Sequence, residues 1–161
     1  MPDRLSFAEI NLANFAYNFN SLKKLMMETP VMTLKSIVVQ IKTLQKGDTV
    51  GYRRTYHAKR KMLMGLLPIG YGDGYPRALS NKFYVLINGK KAPIIGRISM
   101  DQKAIDISRI KNTNIGDEAV LIGRQGKETI LADDIAKVCS TINYEIVAGI
   151  APRIPRVYKR R

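Results

Sequence analysis

The dipeptide Asn88-Gly89 lies between two short apolar segments, and it constrains the fold of this chain more than any other feature. Residues 83–87 precede it and residues 90–95 follow it. Both segments have the length and the β-branched content of strands. Asn-Gly favours the type I′ turn, whose twist matches that of two paired antiparallel strands. The sequence therefore predicts a β-hairpin near the middle of the chain.

The same pattern of short strands and turns continues on both sides of this hairpin. Turn-forming residues separate the segments, as in Lys46-Gly47-Asp48 and Gly116-Asp117. Many short strands bounded by turn residues are typical of a barrel or a sandwich. We therefore expect a mainly β fold, with further strands over residues 36–43, 62–69, 103–108, 118–122 and 144–147.

Two segments have helical rather than strand periodicity. In residues 11–27 the apolar positions recur at steps of three and four, which predicts one amphipathic helix. A weakly alternating segment, residues 8–12, precedes it and predicts a strand. The second segment, residues 131–140, predicts a short helix with one apolar face formed by Leu131, Ile135, Val138 and Cys139.

The charge of the chain is strongly basic, with 27 Lys and Arg against 13 Asp and Glu and a net charge of +14. Tyr52 and Tyr56 lie close to the basic cluster Lys59-Arg60-Lys61, so one hypothesis is a module that binds RNA or single-stranded DNA. Charge alone is not specific for nucleic acid. A solvated basic surface, or one that pairs with an acidic partner, is therefore the favoured interpretation.

The apolar runs, the cysteine count and the spacing of possible zinc ligands indicate which locations and ligands the sequence favours. No apolar run approaches the roughly 20 residues that a membrane-spanning helix needs, so we expect no membrane partner. The single cysteine, Cys139, cannot form an intrachain disulfide, which fits the reducing cytoplasm. His57 and Cys139 do not have zinc-ligand spacing, so we expect no metal site.

Six motifs occur in a fixed order: VGYRRTY, PIGYGDGYPR, INGKKAPIIGRISMDQ, GDEAVLIG, TINYE and PRIPRVY. Together they resemble the C-terminal β-domain of alanine racemases, which use pyridoxal phosphate to interconvert L- and D-alanine. The resemblance covers about residues 30–158. It implies a β-barrel or sandwich of that family's type over residues 30–161.

The start of the chain is similar to another part of the same family. The motif AEINLANFAYNF resembles the opening strand and helix of the N-terminal barrel of alanine racemases. Residues 1–29 are therefore interpreted as a remnant of that barrel. Most of the roughly 250 residues that such a barrel takes are missing between the two parts. We expect an internal deletion near residues 27–30.

Racemisation removes a proton from one face of the α-carbon and delivers another to the opposite face, so it needs two bases. In the family, one base is the lysine that holds the cofactor. The resemblance implies that Tyr52 is the other, acting across a head-to-tail dimer on the active site of the opposing subunit. A free phenol has a pKa of about 10 and needs nearby positive charge to act near neutrality, for which Arg53, Arg54 and His57 are candidates. Family members usually have glycine where Arg53 stands.

The resemblance also implies four substrate-binding residues. Tyr71 matches the family tyrosine that narrows the substrate entrance, and Arg97 lies near it in the family pattern. Met100 matches the residue whose backbone N–H meets the substrate carboxylate, and Asp101 lies beside it. A backbone donor suits that role because it is held in place by the fold.

The resemblance implies one cofactor-binding residue in this chain. Tyr144 matches the family tyrosine that hydrogen-bonds the phosphate of pyridoxal phosphate, and a phenol there favours alanine over serine as substrate. Lys35 and Lys42 do not align with the cofactor lysine. We therefore expect the chain to be inactive alone. The alternatives are the nucleic-acid module and an inert domain that self-associates.

Overall fold

The computed structural model describes residues 32–157. The helix and strand predicted within residues 8–27 lie outside the described residues, so the domain division at residue 30 stays a prediction. Between residues 32 and 157, ten strands and two α-helices form. They are β1 (Leu34–Ile37), β2 (Gln40–Leu44), β3 (Thr49–Val50), β4 (Tyr56–His57), β5 (Met62–Leu67), β6 (Tyr84–Ile87), β7 (Lys90–Ile95), β8 (Lys103–Asp106), β9 (Glu118–Gln125), β10 (Glu128–Ile130), α1 (Ala132–Cys139) and α2 (Asn143–Ala148).

The main sheet of residues 32–157 is antiparallel and has the strand order β1-β9-β6-β7-β8-β5-β2, with β10 paired to β9. Its two end strands, β1 and β2, follow each other in sequence with only Val38 and Val39 between them. The sheet must therefore curl until its ends meet, which makes it a barrel. The N–H of Val38 donates to Asp117 O at 2.9 Å and that of Val39 donates to Leu66 O at 2.9 Å, one bond on each side of the closure.

This closure corrects one sequence prediction. The single strand predicted over residues 36–43 is two strands, because the chain leaves one end of the sheet at Val38 and enters the other end after Val39. The predicted hairpin is confirmed. Asn88 and Gly89 have φ of +49° and +70°, as a type I′ turn requires, and they join β6 to β7.

Buried apolar residues of the strands form the core of the barrel, and β9 has five consecutive buried residues, 119–123. Val85, Ile105 and Leu121 are among the side chains with no more than trace exposure. A second, smaller cluster lies beneath the separate β3–β4 hairpin and supports the turn that begins at Gly51. Its members are Leu44, Val50, Ala58, Met62, Met64, Ile95 and Ala104.

The two α-helices test two sequence predictions, of which one is confirmed and one is wrong. The helix predicted over residues 131–140 is α1, although Leu131 lies before its first residue and is half exposed instead of facing the core. The strand predicted over residues 144–147 is helix α2. Ile146 and Ile150 are both buried, and this spacing of four places them on one face of a helical turn. No helix in residues 32–157 is long and apolar enough to cross a membrane.

Candidate functional site

A cavity of about 370 Å³ opens between the turn after β3 and strands β5 and β8. Tyr52 and Arg97 both line it, so the structure brings together two residues that the sequence predicted for the same site. The rest of the wall is mostly apolar and comes from Val50, Gly51, Met64, Leu66, Ser99, Gln102, Lys103 and Ala104.

Tyr52 projects from an unusual turn. Gly51 has φ of +76° and is followed, after Tyr52, by Arg53 at +59° and Arg54 at +51°. A Cβ atom on Gly51 would lie 2.6 Å from the backbone nitrogen of Arg97, so only glycine lets the turn pack against that segment. The Tyr52 side chain is 65% exposed. Its phenol is therefore open to a ligand or to another chain.

Tyr71 and Met100 lie on two turns that are bonded to each other. The N–H of Tyr71 donates to Ser99 O at 3.0 Å, and the N–H of Gly72 donates to Met100 O at 2.8 Å. Among the described residues, the N–H of Met100 itself has no hydrogen-bond acceptor. Both side chains are about half exposed. The predicted carboxylate donor is thus free, beside the residue predicted to narrow the entrance.

Asp73 and Asp101 are joined by a residue that the sequence analysis assigned no role. Arg153 donates from Nε to Asp73 Oδ1 and from Nη2 to Asp101 Oδ1, each at 2.7 Å. The other oxygen of Asp73 accepts the N–H of Gly70 at 2.8 Å. The hydrogen bonds that Arg153 donates to Asp101 and Asp73 raise the pKa of Arg153 above its ordinary value. Arg153 lies within PRIPRVY, but nothing in the spacing of that motif indicated this bridge.

Lys103 was also missed. Its side chain is 2% exposed, and within residues 32–157 its Nζ has no hydrogen-bond partner. The amine lies 3.1 Å from the centre of the Tyr75 ring, and the Tyr75 hydroxyl is likewise without a partner among these residues. Burial lowers the pKa of Lys103 well below its ordinary value, with the charge of Asp73 opposing the shift. The sequence predicted only a strand over residues 103–108 and assigned no role to Lys103.

Tyr144 lies apart from the cavity wall, on the first turn of α2. It is 77% exposed. An outward-facing phenol can donate to a phosphate oxygen, so this residue fits a contact at the edge of a cofactor. The enclosed amine of Lys103 does not fit a covalent attachment there, because neighbouring side chains cover it.

The described segment contains no cluster of side chains suited to binding a metal ion. Between residues 32 and 157, no group of three or more His, Cys, Asp or Glu side chains could hold a metal ion.

A closed antiparallel sheet, with a cavity beside the turn of Gly51 and Tyr52, defines this part of the chain as a small β-barrel domain. A family model described as alanine racemase, C-terminal domain, matches residues 31–158. The chain belongs to this family. The predicted resemblance and the mainly β fold are confirmed.

Curated relatives agree with this assignment. Alanine racemase from Halothermothrix orenii is 51% identical over 132 residues, which cover 82% of this chain and 35% of the relative. Alanine racemase 1 from Clostridium acetobutylicum is 47% identical over 129 residues, covering 80% of this chain and 33% of the relative. This chain therefore spans about one third of the length of its relatives.

Solved structures give the same result. Alanine racemase from Bacillus anthracis with bound L-Ala-P matches with a TM-score of 0.76 and 42% identity, over 80% of this chain and 32% of that one. Alanine racemase from Bartonella henselae with covalently bound pyridoxal phosphate matches with a TM-score of 0.73 and 34% identity, over 79% of this chain and 34% of that one. Pyridoxal phosphate is thus a cofactor within the family to which this chain belongs.

Proposed function

We propose that this chain provides the second base and the substrate-carboxylate site of an alanine racemase, and that it interconverts L- and D-alanine only together with a cofactor-bearing barrel. The observation that carries the proposal is the shared cavity of Tyr52 and Arg97. The turn bearing Met100 continues directly from Ser99, which lines the same cavity. The phenol of Tyr52, the guanidinium of Arg97 and the backbone N–H of Met100 are therefore grouped on adjoining segments.

Each of these residues has a separate task. Tyr52 holds and transfers a proton at its hydroxyl oxygen, on one face of the substrate α-carbon. Met100 donates its free backbone N–H to the substrate carboxylate. Arg97 adds positive charge to the wall of the cavity, which favours an anionic substrate group. Tyr71 limits the size of the substrate that can enter.

Pyridoxal phosphate, when bound, withdraws electrons from the substrate α-carbon and so makes its proton easier to remove. In this chain, Tyr144 would hold the phosphate group through its exposed hydroxyl. The amine that holds the cofactor comes from the barrel in this proposal. In support, Lys103 is enclosed, and Lys35 already forms an ion pair with Glu118 at 2.8 Å.

The proposed partner is a second subunit in a head-to-tail homodimer in the cytoplasm. Tyr52 in the cavity wall, and Tyr71 and Met100 on the two bonded turns, are large side chains that are exposed. Helix α2 and the residue before it add Ile142, Tyr144 and Val147, which are also exposed. Such a surface is typical of a contact with another protein surface. An inert domain that self-associates would use the same surface.

The alternative of a nucleic-acid module stays a prediction. Tyr52 is exposed, as stacking on a base requires. Tyr56, the second tyrosine of that hypothesis, is half-buried and its hydroxyl donates to Met62 Sδ at 3.4 Å. No feature of the structure favours this alternative over the racemase proposal.

An assay of the purified chain tests the proposal. The chain is incubated with pyridoxal phosphate and L-alanine, and D-alanine is followed together with the absorption spectrum of the cofactor. We expect no D-alanine and no adduct that borohydride fixes to a lysine. D-alanine together with such an adduct would show that an amine of this chain holds the cofactor, which would contradict the proposed division of tasks.

A further inference from the structure

Among the described residues, two backbone hydrogen bonds join the turn that carries Tyr71 to the turn that carries Met100. The N–H groups of Tyr71 and Gly72 donate to Ser99 O and Met100 O, and neither turn belongs to the main sheet. Tyr71 and Met100 are themselves exposed, and backbone hydrogen bonds near exposed residues open more readily than those of the buried sheet. The relative position of the two turns therefore depends on what else joins them.

Arg153 makes that connection from a third segment. Its guanidinium bridges Asp73, which follows Tyr71 by two residues, and Asp101, which follows Met100 by one. The carboxylate of Asp73 is nearly buried, and that of Asp101 is mostly exposed. Charge-assisted bonds at 2.7 Å from two nitrogens of one rigid fork restrict geometry more than either bond alone.

The backbone around Arg153 is fitted to this bridge. The N–H of Ala151 donates to Asp73 O at 3.0 Å, which anchors the segment that carries the arginine. A Cβ atom on Gly72 would lie 2.7 Å from Nη2 of Arg153 and 3.1 Å from Cγ of Met100. Glycine at this position therefore leaves room for the guanidinium between the two turns.

The bridge also changes the charge beside the Met100 amide. An unpaired Asp101 carboxylate next to that amide would repel the carboxylate of a substrate. Arg153 compensates this charge through a direct ion pair. The same contact thus orders the turn and makes it compatible with an anionic ligand.

We propose that Arg153 is a positioning residue that fixes the turn of Tyr71 against the turn of Met100 and neutralises Asp101 beside the Met100 amide. The ordering part of this proposal concerns the chain by itself. The part that concerns substrate carboxylates rests on the proposed function.

Amide hydrogen exchange in the purified 161-residue chain tests the ordering. Arg153→Gln removes both ion pairs, and we expect exchange at the Tyr71 and Gly72 amides to rise about tenfold or more. Arg153→Lys keeps the charge but cannot form the two-pronged bridge, so it should recover only part of the protection. The amides of β8 report whether the barrel remains folded.

Arg124→Gln is the matched control. Arg124 lies on β9, and its Nε donates to Gly126 O at 3.0 Å in the connection between β9 and β10. It should leave exchange at Tyr71 and Gly72 unchanged. If Arg153→Gln unfolds the barrel, Asp101→Ala removes only the exposed arm of the bridge and should still raise exchange at Gly72. Unchanged exchange in the folded Arg153 or Asp101 variant, or an equal rise in the Arg124 variant, would overturn the proposal.

A second readout separates this proposal from the proposed function. Sodium acetate serves as a carboxylate probe, and the chemical shift of the Met100 amide is followed by NMR. We expect a saturable shift in the unsubstituted chain and a weaker one in Arg153→Gln. Exchange results as expected with no acetate response would refute carboxylate recognition by Met100 and leave the ordering role of Arg153 intact.

Discussion

Lys103 is the most deeply buried of the charged side chains in the described part of the chain. An amine enclosed at 2% exposure without a hydrogen-bond acceptor loses hydration that the protein does not replace. The face of the Tyr75 ring at 3.1 Å and the nearby charge of Asp73 offset part of this cost. Burial lowers the pKa of Lys103 well below its ordinary value, against the opposing charge of Asp73.

Lys103→Met should therefore stabilise the protein by about 1–3 kcal/mol at neutral pH, because it keeps the volume and removes the unsatisfied amine. The unfolded chain binds a proton at this amine below about pH 10, and the folded chain does so only at lower pH. Stability of the unsubstituted chain should thus rise with pH through this window. Urea unfolding between about pH 7 and 9 should show this rise, and Lys103→Met should flatten it. Equal slopes in both proteins would contradict the account.

Arg53 occupies a left-handed backbone position at φ +59° next to the candidate base. Such a conformation disfavours residues with a Cβ atom and is readily adopted by glycine. Arg53→Gly should be more stable than Arg53→Ala by about 1 kcal/mol in urea unfolding. Both variants remove the charge, so the comparison isolates the backbone. Equal stabilities would show that the turn adopts another conformation in solution.

Single residues also show where sequence reasoning stops. The conformation of Asn88 and Gly89 follows from their own chemistry and was predictable. The bridge of Arg153 joins residues that are 80 and 52 positions away, and the burial of Lys103 depends on where Tyr75 packs. Neither feature leaves a local pattern, so neither could be predicted without the fold.

The sequence prediction was wrong for helix α2, as it was for the single strand predicted over residues 36–43. Residues 144–147 are too short for periodicity to separate a strand from a helix. Tertiary packing decides, because the helix buries Ile146 against the core while Tyr144 and Val147 stay exposed. The strands around the Asn88-Gly89 turn were predictable because turn chemistry and apolar length agree there.

The helical packing of α2 gives a direct prediction. Ile146→Ala removes a buried side chain and should destabilise the protein by about 2–5 kcal/mol. Val147→Ala, one residue further on an exposed face, should change stability by less than about 0.5 kcal/mol. The midpoints of urea unfolding curves measure both. A larger loss of stability for Val147→Ala than for Ile146→Ala would mean that Val147 rather than Ile146 packs against the core, which would contradict this account.

The architecture explains why separate motifs converge. The turn after β3 packs at Gly51 against the backbone of Arg97, and the turn after β5 is bonded to Ser99 and Met100, so the segment before β8 meets both turns. The family resemblance predicted the domain over residues 30–158 and most of its candidate site residues. It could not predict how Arg153 joins the turns. The lysine that holds the cofactor and the opposing subunit both come from outside this domain in our account. Both stay proposals.

A chimera tests the central claim that Tyr52 is the second base. Residues 31–158 replace the matching segment of alanine racemase from Halothermothrix orenii, which is 51% identical over 132 residues. The chimera should racemise alanine and exchange the α-hydrogen of both enantiomers with deuterated water. With Tyr52→Phe, racemisation should fall about 10²–10⁴-fold, while exchange persists for one enantiomer because the barrel lysine still serves its face. Unchanged racemisation in the Tyr52→Phe chimera, with exchange intact for both enantiomers, would contradict the account.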